Sequence, residues 1–221
     1  MIKPEQRIVL AVFAFFALLG LGMFVTFTAD LRSGGSERTG FGGPFVLTAT
    51  DGRVVTDRTF RGGYMLVYFG YTHCPDVCPT TLMTLSQLLE KLGPSADRIR
   101  SVFISIDPER DTPAAIGRYL ESFDRRIIGL TGSSAEITAV AKQYRVFYRK
   151  LPFENSDDYS IEHSSYIYLM DPDGRYLTLF SPDQSSDQIS ARLHEWLTVP
   201  RSDDAAAERV APDTLATSGS N

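Results

Sequence analysis

The sequence predicts an α/β protein in which one central sheet carries helices on both of its faces. Short apolar runs alternate with longer segments whose leucines and isoleucines recur at the spacing of an amphipathic helix. The order of these elements is β-β, then β-α-β-α-β-α, then β-β-α, and strands that alternate with helices build sheets of this kind. Hydrophobic residues make up 43% of the 221 residues and charged residues 22%, which is the composition of a globular protein.

The first predicted elements are a β-hairpin, a buried strand and a helix. Phe45–Thr48 and Arg53–Thr56 flank the dipeptide Asp51-Gly52, which is typical of hairpin turns. Tyr64–Gly70 is an apolar run of strand length. The segment 79–92 has leucines at helical spacing, so we expect a helix directly after the first core strand.

The middle of the chain continues the alternation of strands and helices. We expect strands over residues 99–107 and 127–130, and helices over residues 113–123 and 134–144. The polar loop Asp107–Pro113 follows the C-terminal end of a strand, where α/β proteins usually carry functional loops. A local helix cap and turn is an equally good interpretation of this loop.

The C-terminal part of the domain contains a second hairpin and a closing helix. Residues 151–160 are rich in Asp and Asn, and we interpret them as a surface loop. Strands are expected over residues 164–170 and 175–180, joined by a tight turn. A helix over residues 187–199 then places its apolar side chains on one face.

Residues 8–28 form a nearly continuous apolar run without a charge, long enough to cross a bilayer as one helix. Lys3 and Arg7 precede it, which predicts a cytoplasmic N-terminus over residues 1–7. The run is longer than the apolar core of a cleaved signal peptide, the alternative interpretation. We expect an anchor in a bacterial inner membrane with the soluble domain in the periplasm. The equivalent mitochondrial topology is less favoured because the leader is short.

The sequence therefore divides into an anchor, a linker, one domain and a tail. Residues 29–43 are rich in Gly and Ser and are expected to form a flexible linker. The domain spans residues 44–199, and the polar tail 200–221 is expected to be disordered. A net charge of −5 and a pI of about 5.2 provide no basic surface for nucleic acid.

Both cysteines of the chain lie in the turn between the first core strand and the helix. Cys74 and Cys78 are four residues apart, and Pro79 fits the first helical position. The helix N-terminus favours thiolates, and two thiolates with one imidazole would suit Cu(I); imidazole also suits Cu(II). A structural disulfide or two buried thiols is the alternative, but the intervening Pro and Asp indicate an exposed turn.

The best candidate for a third ligand is His163, which lies at a strand edge after the polar loop and can approach the cysteines. Glu162 or a backbone carbonyl could orient its other ring nitrogen. His73 directly precedes Cys74, so binding of one ion by both is awkward, and we expect His73 either to lie beside the metal ligands or to face solvent. His194 lies on the last helix next to its apolar face and is expected to be structural.

These residues lie in segments that resemble the Sco/SenC family of copper chaperones. The resemblance covers residues 43–198, and its most specific motifs are the cysteine stretch and the loop Asp107–Pro113. The matching segments are Gly43–Leu47, Asp51-Gly52, Phe69–Pro79, Val102–Pro113, Gly129–Gly132, His163 and Tyr168–Gly174.

The resemblance implies a thioredoxin-like fold with an added N-terminal hairpin, and copper bound by Cys74, Cys78 and His163. It also implies that Asp76 modulates copper or partner contact. The implied role is assembly of the binuclear copper centre of cytochrome c oxidase, with the copper-bearing subunit as partner. An upstream copper donor or a thiol reductant would be a second partner, and the lipid bilayer a third. Such a protein is a metallochaperone and not an enzyme.

Two other functions remain open at the level of sequence. A thiol–disulfide oxidoreductase would use the same cysteines to keep the oxidase's copper-site cysteines reduced. Against it, the spacing is longer than C-x-x-C, and residues 161–165 lack the proline that thioredoxin-like redox proteins usually place there. A peroxidase of the peroxiredoxin type would need one activated cysteine beside a threonine and an arginine. Thr72 is near, but Cys78 replaces the distant resolving cysteine of such enzymes.

Overall fold

A seven-stranded mixed sheet forms the centre of the computed structural model, which describes residues 41–198. Its strand order is β2-β1-β5-β4-β3-β8-β9, and the remaining strands, β6 and β7, form a separate hairpin. The strands are β1 (Val46–Ala49), β2 (Val54–Thr56), β3 (Tyr64–Gly70), β4 (Ile99–Ser105), β5 (Ile127–Thr131), β6 (Tyr148–Pro152), β7 (Tyr159–His163), β8 (Ile167–Met170) and β9 (Tyr176–Phe180). The α-helices are α1 (Val77–Leu92), α2 (Pro113–Leu120), α3 (Ser134–Gln143) and α4 (Ser186–Leu197).

The central strands β3, β4 and β5 are parallel, and antiparallel strands complete the sheet on both sides. Every residue of β3 is buried, which explains its continuous apolar sequence. Successive β3 side chains point to opposite faces. Tyr68 packs near Phe103 and, beyond it, Tyr119 of α2, whereas Phe69 packs against Tyr144 at the end of α3. The prediction of helices on both faces is confirmed.

The predicted N-terminal hairpin is present, with β1 paired antiparallel to β2. The first helix begins earlier than predicted, at Val77, which places Pro79 third and not first in α1. Proline is tolerated there because the first N–H groups of a helix have no intrahelical partner. Asp76 occupies the N-cap position, but its side chain forms no capping hydrogen bond.

The prediction of a plain loop over residues 151–160 is wrong. Residues 148–152 pair with residues 159–163 as the antiparallel hairpin β6–β7, with only the tip between them irregular. β6 is mostly exposed and β7 is mostly only partly buried, so they lack the apolar alternation that would have marked them as strands. The following strand begins at Ile167 and not at residue 164, so His163 ends one strand instead of preceding the next.

Between residues 41 and 198, no helix is long and apolar enough to cross a membrane. The predicted anchor over residues 8–28, most of the linker and the tail lie outside the described residues.

Candidate metal centre

The two cysteines lie at the junction between strand β3 and the N-terminus of α1. Cys74 is half-buried in the turn, whereas Cys78 is in the first turn of α1 and fully buried. The Cys78 backbone N–H donates a hydrogen bond to the Cys74 sulfur over 3.4 Å. A Cβ on Gly70 would lie 2.8 Å from the Cys78 sulfur and 2.9 Å from a Phe103 ring carbon. Glycine at the end of β3 therefore makes room for Cys78.

His163 completes a compact group of three potential metal ligands. Its Nε2 atom is 3.5 Å from the Cys78 sulfur, and the ligand atoms of Cys74, Cys78 and His163 lie within 4.8 Å of one another. The other ring nitrogen, Nδ1, is 3.1 Å from the carbonyl oxygen of Ser164. If Nδ1 carries the proton and donates to this carbonyl, Nε2 is left with a lone pair that faces the sulfurs.

The two thiols have opposite acid–base properties. A hydrogen bond from the Cys78 thiol holds the pKa of Cys74 well below its usual range, and contacts from His163 and the Asp76 and Cys78 N–H groups act in the same direction. The same sulfur–sulfur contact, together with burial, raises the pKa of Cys78. The N–H groups at the helix start thus add to a thiolate preference at Cys74 that comes mainly from the Cys78 thiol. At Cys78 the expectation that the helix N-terminus favours a thiolate fails, because the contact with Cys74 and burial outweigh it.

This asymmetry predicts a proton count for metal binding. If both cysteines bind the ion, the lowered pKa of Cys74 and the raised pKa of Cys78 imply that only Cys78 still has a proton to release at neutral pH. We expect Cu(I) binding to release about one proton per ion, and apparent affinity to rise about tenfold per pH unit through the neutral range. Titration in a weakly buffered solution with a pH indicator measures the count. Release of two protons would show that Cys74 also enters the reaction as a thiol.

Two tyrosines that the sequence motifs did not indicate as site residues line the site. The Tyr71 ring lies edge-on to His163, with 5.9 Å between ring centroids. Tyr68 is fully buried, and its hydroxyl has no hydrogen-bond partner of ordinary geometry among residues 41–198. Burial raises the pKa of Tyr68, and a thiolate at Cys78 would raise it further. Tyr68 therefore stays protonated beside Cys78. Its position on the buried strand, six residues before Cys74, was the available signal in the sequence.

The other predicted site residues lie around the three ligand candidates. His73 is exposed, and its Nδ1 atom lies 3.1 Å from the Thr72 hydroxyl and 3.7 Å from Asp111. Glu162 does not orient His163, because it points outward and pairs with Arg149 over 2.6 Å. The backbone carbonyl alternative is the one that the structure contains. Asp76 is exposed, and its backbone N–H interacts with the Cys74 sulfur.

A second group of possible ligands, formed by His73, Asp107 and Asp111, lies beside the cysteine turn. Both carboxylates already accept hydrogen bonds. Asp111 accepts from the Thr72 hydroxyl over 2.5 Å, and Asp107 accepts from the guanidinium of Arg110 over 2.6 Å. These contacts show that the two carboxylates hold the loop 107–113 in shape and join it to the cysteine turn.

His194 lies on α4, where its Nδ1 atom is 2.8 Å from the Ser190 carbonyl of the same helix. This local contact agrees with a structural role.

Comparison with known proteins places this arrangement in a family. The family model described as SCO1/SenC matches residues 33–198. The chain is 41% identical over 162 residues to the SCO2 homolog, mitochondrial, of Bos taurus, covering 72% of this chain and 61% of that protein. The chain thus spans about three-fifths of the length of this relative.

Solved structures agree with the sequence matches. ScoI of Bradyrhizobium japonicum with copper bound is 46% identical, with a TM-score of 0.67 over 71% of this chain and 99% of that one. ScoI of Arabidopsis thaliana with copper bound is 40% identical, with a TM-score of 0.66 over 70% and 96% of the two chains. With the family model covering most of the sequence and the same fold in these relatives, the chain belongs to the SCO1/SenC family.

Proposed function

We propose that this protein is a copper chaperone that binds one Cu(I) ion through Cys74, Cys78 and His163. The convergence of these three ligand atoms within 4.8 Å carries the proposal. Two soft sulfurs with one imidazole are a donor set that suits Cu(I), and the imidazole also suits Cu(II). The copper bound in the ScoI structures of two relatives supports the assignment.

Copper would leave the site by ligand exchange. Three protein ligands leave a position for an incoming thiolate, so the ion need not become free. Cys74 is half-buried and Cys78 fully buried, so an acceptor would first replace Cys74. The proposed acceptor is the copper-bearing subunit of cytochrome c oxidase, whose binuclear centre the protein would help to build. An upstream copper donor or thiol reductant would restore the loaded state.

We further propose that residues 8–28 anchor the chain in a bacterial inner membrane, with the domain in the periplasm. The uncharged apolar run and the preceding Lys3 and Arg7 support this topology. Fractionation of cells that express the full chain tests the anchor. Recovery of the intact protein in the soluble fraction would contradict it.

The chaperone function is tested by loading and transfer together. The reduced full-length chain, purified with detergent, is titrated with Cu(I) against a chromophoric chelator and then mixed with the soluble copper domain of an oxidase subunit. We expect one equivalent to bind and to pass to the acceptor faster than free chelator can intercept it. Weak binding, or transfer only through the chelator, would refute the proposal.

A thiol–disulfide oxidoreductase is the second candidate. The lowered pKa of half-buried Cys74 beside Cys78 favours it, because a thiolate is the attacking species in disulfide exchange. The peroxidase alternative is less well supported. The Thr72 hydroxyl donates to Asp111 and is not directed at a cysteine sulfur. We therefore propose no enzymatic turnover beyond this disulfide exchange.

A further inference from the structure

The loop Asp107–Pro113 contacts both the cysteine turn and the hairpin β6–β7, which carries His163. It provides none of the three proposed copper ligands, so these contacts must serve another purpose. On one side, Asp111 is fully buried and holds the cysteine turn. It accepts hydrogen bonds from the Thr72 backbone N–H over 2.9 Å, from the Thr72 hydroxyl over 2.5 Å and from Ser105 over 2.6 Å. The loop thereby fixes the segment that leads directly into Cys74.

On its other side, the loop holds the hairpin β6–β7 through Arg110. The guanidinium donates to the carboxylate of Asp158 over 2.6 Å and to the carbonyl of Tyr159 over 3.0 Å. It also lies 3.7 Å from the centroid of the Tyr159 ring. Asp107 ties both residues together, since it accepts from Arg110 over 2.6 Å and from the Tyr159 hydroxyl over 2.7 Å.

The hairpin depends on such contacts because its strands pair only with each other among the described residues. An isolated two-stranded hairpin has marginal stability in water. Besides Arg110, the Tyr71 hydroxyl of the cysteine turn accepts a hydrogen bond from the Ile161 backbone N–H over 3.1 Å. The more exposed strand β6 is held by an ion pair between Lys150 and Glu109 and by a contact between the Tyr148 and Thr138 hydroxyls. His163 ends β7, four residues after Tyr159. Any shift of the strand would therefore move Nε2 away from the sulfurs.

We infer that Arg110 is a positioning residue that holds the β6–β7 hairpin over the cysteine turn and so lets His163 reach the copper ion. The inference rests on the proposed three-ligand site. The Arg110 side chain is only 18% exposed, and the Asp107 carboxylate is fully buried. Because solvent and salt screen a buried ion pair less than a surface ion pair, this pair should contribute to holding the hairpin in place. Its loss should therefore allow the hairpin to move.

A double-mutant cycle on the full-length chain tests this inference. Arg110→Met keeps the apolar stem but removes the charge and every side-chain hydrogen bond. We expect Cu(I) affinity to fall by about 10- to 100-fold, as is typical when a group that supports a metal ligand is lost. In the His163→Ala background, the same substitution should cause almost no further loss, because the ligand it positions is already absent. X-ray absorption should show less nitrogen coordination in Arg110→Met than in the wild type.

Arg126→Met is the matched control, because Arg126 forms a comparable pair with Asp124 just before the start of β5, at the opposite edge of the parallel strands. It should bind copper like the wild type. Asp158→Asn changes an exposed carboxylate and serves as the second test variant in case Arg110→Met folds poorly. It should lower Cu(I) affinity by less than Arg110→Met. Equal losses from Arg110→Met in both backgrounds, or wild-type affinity in Arg110→Met and Asp158→Asn, would overturn the inference alone. Wild-type affinity in His163→Ala would instead refute the three-ligand site and, with it, the inference.

Discussion

Replacement of Cys78 by serine is expected to remove tight Cu(I) binding almost completely. Cys78 is fully buried, and its sulfur is 3.5 Å from Nε2 of His163, so it occupies the centre of the proposed ligand set. A serine hydroxyl is a hard ligand that remains protonated at neutral pH, and Cu(I) prefers soft sulfur. The loss should exceed the roughly 10- to 100-fold effect that follows removal of an outer supporting group.

The effect of Cys78→Ser should come from lost coordination and not from unfolding. Serine is close to cysteine in size, and its hydroxyl can replace the thiol as the donor to Cys74. Competition titration with a Cu(I) chelator measures the affinity, and a thermal melt of the copper-free protein checks the fold. Tight stoichiometric binding in the variant, with an unchanged melt, would show that Cys78 is not a ligand.

Cys74→Ser provides the matched comparison. It should also lose copper, but the two variants should differ in thiol chemistry. In Cys78→Ser the remaining thiol is the half-buried Cys74, which should react quickly with an alkylating agent. In Cys74→Ser the remaining thiol is buried Cys78, which should react slowly.

The elements that the sequence predicted well are those with strong local patterns. The continuous apolar run of β3 and the leucine spacing of α1 are signals that burial alone produces. The turn dipeptide Asp51-Gly52 likewise located the β1–β2 hairpin. Because the cysteines lie between two such elements, their position at the C-terminal edge of the sheet could be predicted. The candidacy of His163 followed from its position at a strand edge after the polar loop, and His73 and His194 were less well placed.

The features that could not be predicted depend on contacts between distant segments. The hairpin β6–β7 has few buried side chains, and its placement depends on Arg110, nearly 50 residues away from Asp158 and Tyr159. The same holds for the thiols. Which cysteine carries the charge depends on the depth of Cys78 beneath Cys74, and a four-residue spacing contains no information about depth.

The second large effect is expected from His163→Ala, which should separate copper binding from thiol chemistry. Without the imidazole only two sulfur ligands remain, and we expect Cu(I) affinity to fall by at least about 10- to 100-fold. Disulfide formation between Cys74 and Cys78 should persist, since the largest cause of the lowered Cys74 pKa is Cys78 and not His163. Chelator competition measures the first property, and the rate of thiol oxidation measures the second.

His73→Ala is the matched control for this separation. His73 is also a histidine beside the cysteine turn, but its side chain is 52% exposed, and it contacts Thr72 and Asp111. It should retain both copper and thiol reactivity.

Oxidase assembly in cells that express the His163→Ala variant distinguishes between the two candidate functions. If His163→Ala abolishes oxidase assembly while its cysteines still exchange disulfides, copper delivery is the function that assembly requires. If assembly continues although copper is lost, the dithiol acts on the partner's cysteines, and His163 serves another purpose. The structure favours the first outcome, because Nε2 of His163 faces the sulfurs at a distance that one shared ion would bridge.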